Sequence, residues 1–594
     1  MVAMEAKEGR HQKPDRNRIW RQRQSSGSGA GSEFSDKIFT RNRLSPAESG
    51  PTDHVAMWLC AAVFIGHLFI GSSVQASCLV RYDRSATGTG ILRRTFYRLP
   101  YCAYYGHSVL YQPSGNETYD TPGSMCAQYN NPFARDYVIG SEDCLFANIY
   151  KPHVAGQETP RPVLVYVHGG SYISGHGEND INGADLLLDI GVVVVTFNYR
   201  LNVLGFLKSN EFNISGNFGL KDQTTLLRWV QRNIRSFGGD PDQVTLLGQS
   251  AGAGSATHHL YIPQSKDLFH RMIVLSGSLL APWSFLYKPQ PCMERYLSEL
   301  NLTTASELRT KPLDELLVPN ATHQYSFQFA SMESPCFIPV LEQEEIHHDN
   351  FTVNPPHQSV LGPPVTSVPI LLSETAREFE NQLQDISDFL LFPNLPQSWD
   401  ALKGQKWNDS MELFIRNVVE QGDAKSREEV LQQIAIIANM RYPMRRLALH
   451  LADSLKQSAP VYFARFEFDG KFGRAKHLVY RSYLPESTYG AMHGDDLGYI
   501  FSPYNLEKAI TDWNQYRLEW RIHISMGLLL EKFINHGHIV YDGKPLNSLA
   551  TANTYLNIDK TFEVREFQDS RIFRHWAEMY NCLYYETCEY KWCW

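Results

Sequence analysis

The chain lacks the features that define several large classes of protein. Its formal net charge is −8 over 594 residues, so it has no excess of basic side chains with which to bind a nucleic-acid backbone. Its ten cysteines show no spacing typical of metal ligands. The absence of internal repeats and coiled-coil heptads excludes a solenoid or fibrous architecture. We therefore expect a globular protein without a nucleic-acid partner, and its 43% hydrophobic content allows a large core.

The N-terminal region differs from the rest of the chain. Residues 1–54 are rich in Arg, Lys, Ser and Gly, which predicts a disordered basic segment. Residues 55–76 contain a short apolar run and the small-residue motif Val74-Gln75-Ala76, which are typical of a signal peptide cleaved before Ser77. The alternative is an uncleaved signal anchor, because the Arg-rich flank suits the positive-inside rule, although the run is short for a membrane span. Both interpretations place the remainder outside the cytoplasm, as a secreted protein or a single-pass type II membrane protein.

Sequons and cysteines also favour an extracellular protein. The Asn-X-Ser/Thr sequons begin at Asn116, Asn213, Asn301, Asn320, Asn350 and Asn408. Outside the cell, disulfide bonds are the simplest role for cysteines that lack metal-ligand spacing. Loss of Cys60 with the signal leaves an odd number of cysteines, so one thiol is free or bonded to another chain. The Cys- and aromatic-rich tail, residues 581–594, is therefore a candidate for pairing two chains into a homodimer.

Residues 77–580 alternate short apolar runs with helical patterns. The continuous apolar runs are Pro162–Val167, Gly191–Asn198, Val244–Leu247 and Met272–Leu275. Such runs are expected for strands that are covered on both faces. Apolar positions at helical spacing lie between the second and third runs, at Gln223–Ile234. The alternation predicts one α/β domain with a large, mostly parallel central sheet flanked by helices.

A serine lies between a predicted strand and a predicted helix, in Gly248-Gln249-Ser250-Ala251-Gly252. A sharp strand-to-helix turn would expose the Ser250 hydroxyl as a nucleophile and aim the N–H of Ala251 at the bond under attack. Side chains two residues on either side would collide in such a turn, which explains the two glycines. The pattern in this context predicts the nucleophile elbow of an α/β-hydrolase.

An elbow of this kind needs donors for the negative charge that develops on the attacked oxygen. The segment His168-Gly169-Gly170-Ser171-Tyr172 follows the first predicted strand and can supply backbone N–H groups. Its small residues allow the backbone to approach a substrate closely. It also precedes the elbow in the order that α/β-hydrolases require.

The nucleophile needs a base and an acid, which follow it along the chain in the order acid, then histidine. His493 is the candidate base, since it lies in a glycine-flanked loop after the last core strand. Glu378 is the candidate acid, in the loop after the apolar run Val368–Leu372. Glu374 and Glu380 lie close enough to compete with it, and the residue pattern alone leaves this choice open.

Several segments resemble the type-B carboxylesterase/cholinesterase family. They are Ser141–Tyr150, His168–Tyr172, Asn217–Gln223, Phe237–Pro241 and Gly248–Ser255. The resemblance extends from about Leu79 to Phe573 and is greatest with insect-type secreted carboxylesterases. It implies the α/β-hydrolase fold and serine-dependent hydrolysis of a small-molecule carboxylic ester, with no metal and no organic cofactor.

The resemblance also assigns roles to residues of this chain. It implies a catalytic triad of Ser250, Glu378 and His493, an oxyanion hole formed by Gly169, Gly170, Ser171 and Ala251, and a disulfide between Cys126 and Cys144. Two positions depart from the family pattern. Phe379 stands where a glycine usually follows the acid, and Leu110-Tyr111 replaces an Arg-Phe pair.

The family also contains adhesion proteins that have lost the serine or the histidine, so a membrane-anchored, catalytically silent binding protein is the alternative. The intact triad candidates favour the enzyme. Between Cys126 and Cys144 the chain offers Tyr129 and Phe133 but no tryptophan, the best partner for a quaternary ammonium group. This absence argues against choline esters, and we expect an ester with an apolar acyl or alcohol part.

Overall fold

The computed structural model describes residues 94–98, 123–129, 137–152, 159–177, 183–317, 336–342, 351–378, 396, 405–473, 475–479, 490–503, 509, 511–512 and 514–585. For 94–98, 405–411, 478–479 and 582–583 it describes the backbone alone. The chain divides into two units, Met1–Gln75 and Ala76–Trp594, and every described residue belongs to the second. The predicted basic and signal segments therefore lie outside the described residues, as do both departures from the family pattern.

The described part of the chain contains fourteen strands. They are β1 (Arg94–Arg98), β2 (Gln128–Tyr129), β3 (Val138–Ile139), β4 (Phe146–Tyr150), β5 (Arg161–Val167), β6 (Val193–Phe197), β7 (Gly239–Gln249), β8 (Arg271–Leu275), β9 (Ile370–Thr375), β10 (Val461–Phe466), β11 (Val540–Tyr541), β12 (Lys544–Pro545), β13 (Thr554–Ile558) and β14 (Phe562–Glu566). Ten of these described strands form one sheet in the order β1-β4-β6-β5-β7-β8-β9-β10-β13-β14. All pairs from β6 to β13 are parallel, and the pairs at both edges are antiparallel. The predicted large, mostly parallel sheet is confirmed.

Helices connect these strands. They are α1 (Asp185–Asp189), α2 (Asn202–Phe206), α3 (Phe218–Asn233), α4 (Ala251–His259), α5 (Gln290–Glu299), α6 (Ala305–Thr310), α7 (Leu313–Leu317), α8 (Pro356–Ser359), α9 (Gln405–Glu420), α10 (Arg427–Ile436), α11 (Tyr442–Ser454), α12 (Arg517–His536) and α13 (Arg571–Tyr585). Short 3-10 helices occur at Ile234–Phe237, Pro263–Ser265 and Asp495–Tyr499, and π-helices at Ile437–Arg441 and Ala475–Val479. No helix among the described residues is both long and apolar enough to cross a membrane.

The sheet is buried on both faces. Successive side chains of a strand point to opposite faces, and in β5 Val165 joins one hydrophobic cluster while Tyr166 joins another. The first cluster contains Trp229 of α3, and the second contains Phe533 of α12. Burial on both faces explains why the central strands read as continuous apolar runs rather than as alternating patterns.

The parallel strands bring their carboxyl ends to one edge of the sheet, where ligands bind in open α/β sheets. The loops after β5, β7 and β9 begin at this edge. The loop after β9 is joined to the segment that follows the π-helix Ala475–Val479, because the N–H of Arg377 donates to the oxygen of Ala491 at 2.9 Å. This bond, together with a parallel bridge between Arg377 and Met492, holds two chain segments more than 110 residues apart beside the end of β7.

Two disulfides stabilise the described region. One joins Cys126 and Cys144, the pair that the family resemblance implied, and the other joins Cys292 and Cys336. The sequence left the second pairing open. Helix α13 continues to Tyr585, past the boundary expected between the domain and the tail, and residues 586–594 lie outside the described residues.

Candidate active site

Ser250 occupies a strained turn between β7 and α4. Its backbone has φ 56° and ψ −124°, a conformation that costs a non-glycine residue of order 1–3 kcal/mol and persists only where the surroundings enforce it. Its N–H donates to the oxygen of Leu275 in the neighbouring strand at 2.9 Å. The hydrogen bond to the neighbouring strand therefore helps to hold Ser250 in this strained conformation.

The glycines on either side are required by close packing. A Cβ atom on Gly248 would lie 2.2 Å from the oxygen of Gly252, and one on Gly252 would lie 2.1 Å from the oxygen of Val167. Real Cβ atoms essentially never approach backbone atoms so closely. The collision within the turn that the sequence predicts is thus present at Gly248, whereas Gly252 is required by the approach of β5.

The structure brings Ser250, His493 and Glu378 into one hydrogen-bonded row. His493 Nε2 lies 2.9 Å from Ser250 Oγ, and His493 Nδ1 lies 2.6 Å from Glu378 Oε2. The three residues are 7%, 5% and 0% exposed, in the order serine, histidine, glutamate. Since an ionised carboxylate can only accept, Nδ1 carries the hydrogen and Nε2 is left to accept from the serine hydroxyl.

The second oxygen of Glu378 is also held. Ser276 Oγ donates to Oε1 at 2.5 Å, and the N–H of Thr375 donates to it at 2.8 Å. Burial would raise the pKa of Glu378, but the charge and hydrogen bond of His493, with the bonds from Ser276 and Thr375, lower that pKa below its usual value. The carboxyl group is therefore ionised at neutral pH despite its complete burial.

Of the two competing carboxylates, the structure describes Glu374, which does not belong to this row. Glu374 is buried within β9, where its Oε1 accepts from Arg465 Nη2 at 2.5 Å. It therefore belongs to an ion pair between β9 and β10 rather than to the row that contains His493. Glu380 lies outside the described residues.

The segment after β5 lies against the elbow. A Cβ atom on Gly169 would come within 2.9 Å of Ser250 Cβ and 2.6 Å of Gln249 Oε1. Gly170 has φ 110° and Ser171 has φ 54°, and in the described part of the chain neither N–H donates to a protein acceptor. Ala251 opens α4, so its N–H is one of those that a helix leaves without an intrahelical partner. All three groups are free to receive a developing oxyanion.

The sequence did not predict a role for several other residues that lie near Ser250, His493 and Glu378. Ser276 follows β8 without any motif around it. Asp495 bridges the histidine loop, since its Oδ2 accepts from the N–H of Met492 at 2.8 Å and its Oδ1 from the N–H of Lys476 at 2.9 Å. Gln249 Nε2 lies 3.4 Å from His493 Nε2. Gln249 lies within the elbow motif, and Asp495 lies two residues after His493 in the same loop.

The structure describes only some of the predicted glycosylation sites and of the aromatic residues between Cys126 and Cys144. The sequons at Asn213 and Asn301 are exposed, and Asn408 lies in α9, where the backbone alone is described. The sequons at Asn116, Asn320 and Asn350 lie outside the described residues, as does Phe133. The hydroxyl of Tyr129 donates to the oxygen of Leu317 at 2.7 Å, so this side chain is tied to the protein.

The chain is similar to several known proteins. The model of the carboxylesterase family matches residues 115–576. A juvenile hormone esterase of Heliothis virescens is 30% identical over 414 residues, which cover 65% of this chain and 70% of that protein. Esterase E4 of Myzus persicae is 30% identical over 405 residues, which cover 64% and 70%. Juvenile hormone esterase from Manduca sexta, solved with OTFP covalently attached, has 26% identity and a TM-score of 0.61, covering 78% of this chain and 89% of that one.

Proposed function

Because the chain belongs to the carboxylesterase family and is a carboxylic ester hydrolase, we propose that it is a secreted serine esterase acting on an apolar ester through an acyl-enzyme. The observation that carries the proposal is the buried row of Ser250, His493 and Glu378, with contacts of 2.9 and 2.6 Å. Its members occupy the roles of nucleophile, base and orienting acid.

In the first half of the reaction, Ser250 Oγ attacks the ester carbonyl while His493 Nε2 takes the hydroxyl proton. Glu378 keeps the imidazole in the required tautomer and stabilises the imidazolium that forms. The N–H groups of Gly170, Ser171 and Ala251, with Gly169 adjoining, receive the oxyanion, an interaction worth several kcal/mol in a pre-organised site. His493 then protonates the leaving alcohol, and the acyl group remains on the serine.

In the second half, water replaces the alcohol. His493 takes a proton from the water as its oxygen attacks the acyl carbon, and the same N–H groups hold the second oxyanion. Collapse of this intermediate returns the proton to Ser250 and releases the carboxylic acid. In the proposed reaction, residues of this chain therefore transfer every proton and bind both oxyanions.

An apolar ester is the substrate that the surroundings favour. The segment between Cys126 and Cys144 contains no tryptophan, the ring that binds a quaternary ammonium group best. Two similar proteins are named as juvenile hormone esterases. We therefore propose that the substrate is a carboxylic ester with an apolar acyl or alcohol part.

The proposal that the protein is secreted is based on its N-terminal sequence, and the disulfides and exposed sequons support it. We propose a basic segment 1–54, a cleaved signal peptide 55–76, a catalytic domain 77–580 and a short tail 581–594. Two disulfides and the exposed sequons at Asn213 and Asn301 suit an extracellular protein. Expression in insect cells should yield soluble protein in the medium, beginning near Ser77. Recovery with membranes alone would support the signal anchor, and equal mobility on reducing and non-reducing gels would exclude pairing through the tail.

Covalent labelling tests the assignment of the nucleophile. An organophosphonate should label wild-type protein at the peptide that contains Ser250, and His493→Ala should abolish the label because the hydroxyl then lacks its base. Ser306→Ala, at an exposed position in α6, is the matched control and should be labelled normally. A label on a different peptide, or undiminished labelling of folded His493→Ala, would overturn the assignment.

A further inference from the structure

A cavity of about 640 Å³ lies beside the carboxyl ends of β9 and β10. Its wall includes residues of β13 and of the segment that follows β14, and it contains none of the residues that we propose for catalysis. Small-molecule sites usually have volumes of about 300–1,000 Å³. The cavity is therefore large enough for an organic ligand.

Charged side chains of both signs line the wall. The arginines are Arg441, Arg445, Arg465 and Arg565, and the acids are Glu374, Glu566 and Asp569. Arg465 pairs with Glu374 at 2.5 Å, and Arg565 pairs with Glu467 at 3.0 Å. These two arginines are neutralised by partners. Arg441 and Arg445, one helical turn apart, have no carboxylate within ion-pair distance in the part of the chain that the structure describes.

Arg445 is the more unusual of the two. It is 6% exposed, its Nη2 donates to Asn553 Oδ1, and its Nε and Nη1 have no partner among the described residues. Burial lowers the pKa of Arg445 to about 10, while Asp569 and Glu374 act in the opposite direction, so the group is charged at neutral pH. A buried cation without a counter-ion costs several kcal/mol. Such a group is expected where an anion binds.

Arg441 adds a second donor to the same wall. Its Nη2 donates to the oxygen of Ala376 at 2.7 Å, and its buried Nε has no partner among the described residues. Arg441 ends the π-helix Ile437–Arg441, and Arg445 lies in the first turn of α11. Side chains four residues apart lie on the same face of a helix. Three nitrogen atoms of the two side chains, Arg441 Nε and Arg445 Nε and Nη1, thus have no hydrogen-bond partner among the described residues.

Aromatic rings also line the wall. It contains Phe463, Tyr555, Phe567 and Phe573. The guanidinium carbon of Arg445 lies 3.5 Å from the centre of the Phe567 ring, a stacking that fixes its plane. Glu566 and Asp569 are exposed at the opening, where they disfavour an anion, so the buried arginines are the favoured place for one.

We infer that this cavity binds an organic carboxylate, whose anionic group contacts Arg441 and Arg445 and whose flat apolar body packs against the partly buried Phe567 and Phe573. The planar guanidinium groups suit the planar carboxylate. The inference is independent of the proposed catalytic mechanism, because the two sites share no residue.

Calorimetric titration with naphthoate tests the inference, with naphthamide as a neutral ligand of the same shape. Wild-type protein should bind naphthoate at least about tenfold more tightly than naphthamide, since a hydrogen bond to a charged group is worth about 1.5–3 kcal/mol. Arg445→Met should weaken naphthoate binding by at least about tenfold. Binding at any other place, including the catalytic site, would be unaffected by this change, so the difference between the two proteins reports on the cavity alone.

Arg446→Met is the matched control. Arg446 is the next residue of the same helix, but it lies over the rings of Tyr580 and Tyr585 and does not line the cavity, so this variant should bind naphthoate as the wild type does. Removing the unpaired charge of Arg445 should not lower the melting temperature, and Arg441→Met provides a second test of the same wall. Equal binding of naphthoate and naphthamide, no binding of either, or unchanged naphthoate binding by folded Arg445→Met would overturn the inference.

Discussion

The hydroxyl of Ser276 donates to Oε1 of Glu378 at 2.5 Å, on the side of the carboxylate opposite to His493. Ser276 follows β8 and Glu378 follows β9, and these strands are neighbours in parallel register. The pairing of two strands thus places the residue that orients the proposed catalytic acid. Since the bond stabilises the charged form of Glu378, its loss should raise the pKa of that carboxyl group.

Ser276→Ala should therefore lower kcat/KM by about ten- to a hundredfold, the range expected when a buried charged group loses one hydrogen bond. The acid limb of the pH–rate profile should move to higher pH, because Glu378 protonates more readily. Steady-state kinetics across pH would measure both effects. An unchanged profile in a folded variant would show that the hydroxyl is structural only.

Glu378→Gln should lower kcat by about 10⁴-fold, because an amide would no longer hold the imidazole in the tautomer that accepts the serine proton. Glu374→Gln is the matched control. Glu374 pairs with Arg465 and does not contact His493, so its replacement should lower the melting temperature while leaving kcat of the folded protein near wild type. If Glu374→Gln lost activity and Glu378→Gln retained it, the assignment of the acid would be wrong.

Gly169→Ala should lower kcat/KM by about a hundredfold or more, as expected when an oxyanion donor is displaced. The added methyl would lie 2.6 Å from Gln249 Oε1 and 2.9 Å from Ser250 Cβ, which forces the loop away from the nucleophile. Gly362→Ala makes the same change where nothing lies within 4 Å, and it should be neutral or slightly stabilising. Comparable kinetics for both variants would show that the loop takes no part in the chemistry.

Asp496 should make the folded state less stable as pH rises. It is 1% exposed, and neither carboxyl oxygen has a hydrogen-bond partner among the described residues. Burial, then the charges of Glu378 and Asp495, raise its pKa from 3.8 to about 8. Between these two pKa values the folded state keeps a proton that the unfolded state releases, so stability falls with increasing pH in this window.

Asp496→Asn removes that dependence. At pH 8 the variant should be more stable than the wild type by about 2 kcal/mol or more, and below the unfolded pKa the two should be similar. Urea denaturation at both pH values measures the difference. Asp453→Asn, at an exposed position in α11, should keep the wild-type pH dependence. A variant at Asp496 that is less stable than wild type at both pH values would contradict this account.

Short sequence patterns predicted those features of the fold that depend on residues close together in the chain. The collision that requires Gly248 lies within a single turn, so this glycine could be explained before the fold was known, whereas Gly252 is required by close packing against Val167 of β5. The central strands were located because a sheet covered on both faces requires continuous apolar runs. Their limits were less accurate. The third predicted run, Val244–Leu247, is the end of an eleven-residue strand, β7.

Contacts between distant parts of the chain had no such signal. Glu378 and Glu374 are four residues apart, and only the position of Arg465 on β10 shows that Glu374 belongs to another ion pair. Ser276 and the pairing of Cys292 with Cys336 depend on packing that no short motif encodes. The antiparallel edge formed by β13 and β14 was also not anticipated. Strand β14 is exposed along most of its length and so lacks a continuous apolar run, and the apolar run of the buried β13 is interrupted by Asn557.

The most direct test of the proposed mechanism is hydrolysis of an aryl acetate by the purified protein beside Ser250→Ala, with folding of both checked by melting temperature. Removal of the hydroxyl leaves the oxyanion donors and the substrate pocket unchanged. We expect wild-type turnover and a loss of about 10⁴-fold or more in the variant. Comparable turnover by folded Ser250→Ala would show that the hydrolysis does not proceed through this serine, and the triad assignment would be contradicted.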